Sequence, residues 1–349
     1  MSPIDPVTVL RAYPGVEQAT VAATHEGTTG YSGAEIFQVS MDQRHLCLRR
    51  WPATGLTPTR IRGLHRLLQT VDRVGGPPVP VPLTNNVGST LTQVAGYWWQ
   101  LEPWMPGQAD FRTNPNTERL VAAMHALAQW HHAATHFQPR EQEIAWFASY
   151  TAAPSPAVNE RLTRLESYTS RVHSDLQHAL QQSQRRALPE TTQFCQLGHR
   201  VLNAAHNLAP SIHQQLSGLR ETKFRLQPCL RDVWHDHVLF VDNRVSGLID
   251  ASACRFDHVA TDISRLVGSL ANNDTSDWDI ALKAYQSQQP LTLDEQVLVW
   301  ALDRSGTLLS CLTWITRFAE SGLPRERISA VSQRIGRMLA RLEDWANNS

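Results

Sequence analysis

Asp232 and Asp250 stand at the two ends of a strand–turn–strand pattern. The pattern runs from Leu230-Arg231-Asp232-Val233-Trp234-His235-Asp236-His237-Val238-Leu239-Phe240, through Asp242-Asn243, to Val245-Ser246-Gly247-Leu248-Ile249-Asp250. The ends of a hairpin lie side by side, so both carboxylates can face one site. Two such acids suit two tasks: one can take a proton from a hydroxyl, and the other can hold a hard cation. His235 and His237 lie between them. In an extended segment alternate residues point to opposite faces, so at most one of these imidazoles joins the site.

The elements that must position this segment fall into two stretches. Up to about residue 105 the chain reads as mostly strand. A short helix runs from Pro6 to Tyr13, and a Gly-bearing turn spans Gly27–Gly33. Strands over Ala34–Ser40 and His45–Trp51 follow, with a polar link between them. Thr57-Pro58 reads as an N-cap with proline at the first helical position, opening a helix that Gly75-Gly76-Pro77-Pro78 closes. Further strands are expected over Val79–Leu83, Ser89–Val94 and Tyr97–Glu102. Beyond Gly107 the pattern turns helical. Asn116 or Thr117 can cap a helix carrying Leu120, Met124, Leu127 and Trp130 on one face. Residues 141–222 read as almost wholly helical apart from Ala152–Pro156 and a break at Leu188-Pro189, and Thr292 with Glu295 makes a capping box. No Ser/Gly-rich spacer marks residue 105, so the break there reads as a hinge.

The Asp232–Asp250 segment resembles the catalytic stretch of the aminoglycoside phosphotransferase and choline kinase group, His-Gly-Asp-x-His-x-x-Asn-x-Leu-Phe followed by Val-x-Gly-x-Ile-Asp. Asp232 falls on the catalytic Asp and Asp250 on the metal-binding Asp, without a gap, and Asp262 falls on a later Asp that begins a helix. Weaker likenesses occur in the same order along roughly residues 25–320. Gly30-Tyr31-Ser32-Gly33-Ala34 lies where the nucleotide loop would be. Leu48-Arg49-Arg50 is similar to the strand that carries a phosphate-binding cation. Gln100-Leu101-Glu102-Pro103-Trp104-Met105-Pro106-Gly107 is similar to the hinge between lobes, and Ala128-Gln129-Trp130-His131 to a helix whose motif ends Leu-His.

The resemblance implies an α+β, bilobal protein-kinase-like fold. A small β-rich lobe with one main helix would occupy residues 1–105. A large, mostly helical lobe carrying the hairpin 230–250 would occupy residues 106–349. It implies an ATP-dependent phosphotransferase that acts on a hydroxyl of a small molecule, with Mg²⁺ or Mn²⁺. Phosphoryl transfer needs positioning and charge neutralisation more than covalent chemistry. Asp232 would then orient the acceptor hydroxyl and accept its proton, and Asp250 would hold the metal. Arg49 would meet the phosphates, the turn at Gly30, Ser32 and Gly33 would cover them, and Glu102 and Trp104 would lie against the base.

Four departures bear on these roles. His237 stands where the family has its metal-binding Asn, and imidazole suits Mn²⁺ or Zn²⁺ better than Mg²⁺. The helix 58–74 contains no Glu to pair with the cation. That cation is Arg49 in place of Lys, a planar fork with a different geometry. The His-Gly before the catalytic Asp is Leu230-Arg231, and Asp250 is followed by Ala251-Ser252. These departures keep open a nucleotide-binding pseudokinase. A metal-dependent hydrolase built on His235, Asp236, His237 and Asp250 is disfavoured, because adjacent residues rarely converge on one ion and no HExxH spacing is present.

Bulk properties agree with a globular chain. Its 349 residues are 42% hydrophobic, enough to bury a full core in two domains or in one domain with a large insertion. Lys plus Arg equals Asp plus Glu at 32 each, so net charge gives no reason to expect nucleic acid or a membrane surface as partner. The five cysteines are scattered and never spaced CxxC, which argues against a disulfide framework and a four-thiolate zinc site and fits the cytoplasm. No signal peptide is expected at MSPIDPVTVL, and no run of apolar residues approaches a membrane span.

Overall fold

The computed structural model describes residues 5–16, 18–23, 33–41, 44–184, 189–271 and 273–347. In chain order the first elements are α1 (Pro6–Leu10), β1 (Thr20–Ala23), β2 (Glu35–Met41), β3 (Arg44–Arg50), α2 (Pro58–Arg73), β4 (Thr92–Val94), β5 (Tyr97–Pro103) and α3 (Thr117–Ala134). Next come α4 (Ile144–Phe147), β6 (Tyr150–Pro154), α5 (Pro156–Ser167), α6 (Ser170–Gln184), α7 (Pro189–Leu219) and β7 (Lys223–Cys229). The chain ends with β8 (Val238–Val241), β9 (Arg244–Leu248), β10 (Arg255–Asp257), α8 (Ala260–Leu270), α9 (Thr275–Gln286), α10 (Leu293–Ser321) and α11 (Arg325–Asn347).

By tertiary contacts the chain forms two compact units. The first comprises Met1–Ser149, Gln227–Phe256 and Ile280–Pro290, and the second Tyr150–Leu226, Asp257–Asp279 and Leu291–Ser349.

The first unit is organised by an antiparallel sheet in the order β1-β2-β3-β5-β4. Alternation along the strands sorts its side chains onto two faces. Leu46 and Leu48 of β3, with Trp99 and Leu101 of β5, join Val9, Leu10 and Tyr13 in a buried cluster. The alternate residues pair across the same two strands as Cys47 with Glu102 and Arg49 with Gln100, so their side chains share the opposite face. Helix α2 begins where its N-cap demands: Thr57 Oγ1 accepts the Arg60 N–H at 3.3 Å, with Pro58 at the first helical position. It is tied down by an Arg66–Glu143 ion pair and by Arg60 Nη2, which donates to the Cys254 carbonyl at 3.3 Å.

Two expectations need correction. Val79–Leu83 is not a strand. Pro78, Pro80 and Pro82 lack the N–H that a ladder requires, and only Leu83 reaches the sheet, donating to the Leu101 carbonyl at 2.7 Å. The strand expected over Ser89–Val94 shortens to Thr92–Val94, because Asn85 folds the approach into a side-chain turn, accepting from the Val87 and Ser89 N–H groups. The break expected at Ala152–Pro156 holds a strand, β6, which pairs with β7 through Tyr150↔Leu226 and Ala153↔Phe224.

The second unit is mostly helical. Asp257 caps α5, accepting from the Ser155 hydroxyl at 2.6 Å and the Ala157 N–H at 3.0 Å. Thr292 and Glu295 form the expected capping box at the start of α10. A buried ion pair, Asp303–Arg341 at 2.6 Å, joins α10 to α11, and Arg341 also donates to Asn273 and the Gly268 carbonyl. Among the described residues no helix is long and apolar enough to cross a membrane.

Candidate functional site

The hairpin between the two acids is real: β8 and β9 pair antiparallel from Val238↔Leu248 to Val241↔Arg244, with a bulge at Leu239/Phe240. The strand is shorter than the sequence suggests. Residues His235–His237 form a single 3₁₀ turn before it, so the two imidazoles do not alternate along an extended segment. His235 is buried, with Nε2 3.1 Å from Asp236 Oδ1 and its ring edge-on to Trp234. His237 faces the other way, toward Asp250.

Backbone strain sits at Asp250 and at the residue before Asp232. Asp250 adopts a left-handed conformation, φ 57° and ψ 60°, and Arg231, just before Asp232, has φ 65°. Such conformations are uncommon for non-glycine residues and persist only where the surroundings impose them.

His237 links the two ends of the hairpin. Its Nδ1–H donates to the Asp232 backbone carbonyl at 2.8 Å, and its Nε2 lies 3.9 Å from Asp250 Oδ2. A carbonyl only accepts, so Nδ1 carries the proton. Nε2 is then the acceptor of the Trp234 indole N–H at 2.9 Å.

On its other side Asp250 meets the sheet. Arg49 Nη1 donates to Asp250 Oδ1 at 3.2 Å, and Arg49 Nη2 lies 3.8 Å from Glu102 Oε1. Burial opposes charge on Asp250, but the Arg49 guanidinium outweighs it and holds the carboxyl below its ordinary range. Arg49 is itself buried, which disfavours its charge, yet Glu102 and Asp250 together raise its affinity for the proton. Burial pushes the Glu102 carboxyl up, against the pull of Arg49 and the Gln100 amide. Cys47 is driven up by burial and by Glu102, so it is a neutral thiol and not a nucleophile.

A cavity of about 460 Å³ opens here. Arg49, Glu102, Trp104, His237 and Asp250 line it, together with apolar side chains such as Ile36 and Leu239. Asp232 is exposed and lies outside that lining, at the start of the loop that His237 holds. Gly33 has φ 73° and precedes Ala34, which lines the cavity, whereas Gly30 and Ser32 lie outside the described residues. Trp104 is 39% exposed, and its N–H donates to the His45 carbonyl at 3.1 Å. Asp262 is fully buried in the first turn of α8.

The segment after β5 packs directly on the hairpin. Gln108 and Phe240 exchange both backbone hydrogen bonds, at 3.0 and 2.9 Å, and the Ser246 hydroxyl donates to the Pro106 carbonyl at 2.6 Å.

The sequence profile of the phosphotransferase enzyme family matches residues 28–298. The chain belongs to that family. No curated relative matches the sequence. Among solved structures, a spectinomycin phosphotransferase in complex with ADP and spectinomycin superposes with a TM-score of 0.71 at 11% identity, over 97% of this chain and 98% of its own. An amicoumacin kinase in complex with AMP-PNP, Ca²⁺ and Ami gives 0.63 at 15% identity, over 97% and 91%. A microcompartment-associated aminopropanol kinase gives 0.61 at 13% identity, over 98% and 97%. The likeness to these structures is one of fold. This family member has the expected arrangement of a β-sheet N-terminal region followed by a large helical part.

The cation of β3 and the acid after β9 were visible in the sequence. Trp234, Cys47 and Gln100 were not. Cys47 and Gln100 could have been found by strand alternation, as same-face neighbours of Arg49 and Glu102. Trp234 has no such signal, because its role depends on the 3₁₀ turn that follows it.

Proposed function

We propose that the protein is an ATP-dependent phosphotransferase acting on a hydroxyl of a small molecule, working in the cytoplasm. One observation carries the reading: the two acids stand at the ends of one hairpin, and the second of them, Asp250, lines a cavity 3.2 Å from the buried Arg49 cation. The family membership and the kinases among the structural relatives point the same way.

In this reading residues 1–105 carry the nucleotide and residues 106–349 the acceptor. Gly30, Ser32 and Gly33 are assigned to cover the phosphates, Arg49 contacts them, and the base lies against Glu102 and Trp104. Asp232 orients the acceptor hydroxyl. As the acceptor oxygen bonds to the γ-phosphorus, the bond from that phosphorus to the β–γ bridging oxygen breaks. The hydroxyl proton passes to the Asp232 carboxylate, and ADP leaves.

Asp250 fits a Mg²⁺ ligand: it is a hard oxygen donor held ionised beside the cavity. A bound Mg²⁺ would supply charge neutralisation on the phosphates. His237 fits less well as a second ligand, because its Nε2 lone pair already accepts the Trp234 N–H and imidazole favours softer ions. That same contact favours a second reading, a nucleotide-binding pseudokinase.

The test is ATP consumption across a panel of hydroxylated compounds, with Mg²⁺ and with Mn²⁺, using wild type and Asp232→Asn. Turnover in wild type that disappears in Asp232→Asn, with ATP binding kept, supports the phosphotransferase. Equal turnover in both proteins would refute the assignment of the base. ATP binding without turnover in wild type would favour the pseudokinase.

A further inference from the structure

Helix α2 offers no Glu to pair with Arg49, and its Asp72 is exposed in the last turn. Arg49 nevertheless has a buried carboxylate beside it from another element: Glu102 of β5, 5% exposed. That carboxylate is held by a chain of hydrogen bonds. Glu102 Oε2 accepts from Gln100 Nε2 at 2.5 Å. Gln100 Oε1 accepts from the Trp51 indole N–H at 2.8 Å and from His65 Nε2 at 2.8 Å. His65 is a buried residue of α2, and its other nitrogen, Nδ1, then accepts from the Thr90 hydroxyl at 2.8 Å.

The donor and acceptor roles leave no freedom. An amide oxygen that takes two N–H donors is the end turned toward Trp51 and His65, so the amide nitrogen is the end turned toward Glu102. The helix is thus connected to the cation indirectly, through His65, Gln100 and Glu102. The guanidinium fork of Arg49 is divided, with one nitrogen toward Glu102 and the other toward Asp250.

We propose that Glu102, oriented through Gln100 by His65, is a positioning residue for the nucleotide: it keeps one arm of the Arg49 fork away from Asp250 and so leaves the metal-binding acid open. This rests on the phosphotransferase reading above. Without charge at residue 102 both arms of the fork close on Asp250 as a bidentate pair, the stronger geometry for a guanidinium and a carboxylate. Arg49 then competes with the metal for that acid. Glu102→Gln isolates the effect, because it keeps the volume and an oxygen for the Gln100 amide.

The experiment is calorimetric titration of ATP into the full chain, with and without Mg²⁺, alongside the melting temperature of the ligand-free protein. Glu102→Gln is expected to weaken ATP binding roughly tenfold in Mg²⁺ and less than about twofold without metal, with an unlowered melting temperature. Gln100→Leu should shift binding in the same direction by less, and the double variant should be no worse than Glu102→Gln alone. Wild-type affinity in Glu102→Gln overturns the inference, and so does an equal loss with and without metal. If Glu102→Gln does not fold, Gln100→Leu decides by the same metal comparison. A wild-type chain that binds no ATP ends both this inference and the kinase reading, whereas normal wild-type binding with an unaffected Glu102→Gln ends this inference alone.

Discussion

The Trp234 indole N–H donates to His237 Nε2 at 2.9 Å, on the side of the imidazole that faces Asp250 3.9 Å away. The nitrogen best placed to share a metal with Asp250 is therefore already used as an acceptor. Its partner nitrogen is used as well, holding the Asp232 carbonyl. In this arrangement His237 steadies the loop that begins at Asp232, and under the proposed function a metal bound here would have one carboxylate ligand, Asp250.

Removing the indole donor should change which metals work. Trp234→Phe keeps an aromatic ring beside His235 and His237 but frees the Nε2 lone pair. Thermal shifts with ATP are expected to grow in Mn²⁺ or Zn²⁺ relative to Mg²⁺, since imidazole prefers the softer ions. An unchanged order of metals would show that Trp234 does not control the imidazole.

Asp250→Asn should separate metal binding from folding. Residue 250 is in the left-handed region, which Asn tolerates about as well as Asp, so the backbone has no reason to move. Arg49 keeps Glu102. The ligand-free melting temperature is expected to stay within a few degrees of wild type, while the Mg²⁺-dependent part of the ATP-induced shift disappears. Asp250→Ala should be less stable than Asp250→Asn, by about 1 kcal/mol in urea unfolding, because alanine adopts that conformation at a cost. A Mg²⁺ effect that survives in Asp250→Asn would remove Asp250 from the metal site.

The parts of the protein legible in its sequence are those set by local chemistry. Thr57-Pro58 and Thr292 with Glu295 announce helix starts through their own backbone hydrogen bonds, and Asp242-Asn243 marks the turn of the hairpin. Asp232 and Asp250 were singled out because a hairpin fixes what lies at its ends, although only Asp250 lines the cavity. Glu102 was expected beside the base on resemblance; its side chain turns to Arg49 because strand register puts residue 102 opposite Cys47, on the face that Arg49 also occupies. The break at Ala152–Pro156 was legible but its strand was not, because the partner β7 lies far along the chain and no local alternation announces the pairing. Val79–Leu83 was misread as a strand, although its prolines argued against one.

His65 should make stability fall with acid. Burial, partly offset by the Gln100 hydrogen bond, lowers its pKa from 6.5 to about 4. The unfolded chain therefore binds a proton that the folded chain refuses between those values. The contribution of neutral His65 is complete above pH 6.5 and is lost as the pH falls toward 4, by up to about 3 kcal/mol. Glu295 acts in a lower window: its pKa is lowered from 4.5 to about 2 by the hydrogen bond from His258, so its contribution is lost only below pH 4.5. Urea unfolding of wild type and His65→Gln between pH 4 and 7 checks this. The variant should be less stable at pH 7 but show a flatter decline down to pH 4. Parallel curves would mean that His65 does not carry the linkage.

Gly107 should tolerate no side chain, for two independent reasons. Its φ is 94°, a conformation that L-residues rarely adopt. A Cβ built there would also lie 2.4 Å from the Phe240 carbonyl oxygen and 2.4 Å from the Ser246 hydroxyl oxygen. Both atoms belong to the β8–β9 hairpin, and both already serve the contact: Phe240 pairs with Gln108, and Ser246 donates to the Pro106 carbonyl. The collision cannot be relieved by a side-chain rotation alone, because one partner is backbone. Gly107→Ala must push the segment Pro106–Gln108 away from the hairpin that carries Asp250 at its end. A loss of about 2–4 kcal/mol in urea unfolding is expected, with a weakened ATP-induced thermal shift in the fraction that folds. Gly96, also at positive φ but with nothing within 4 Å of its Cβ position, provides the control: Gly96→Ala should cost about 1 kcal/mol and leave the ATP response intact. Equal effects from the two substitutions would show that backbone strain alone matters at residue 107 and that the close approach to the hairpin does not.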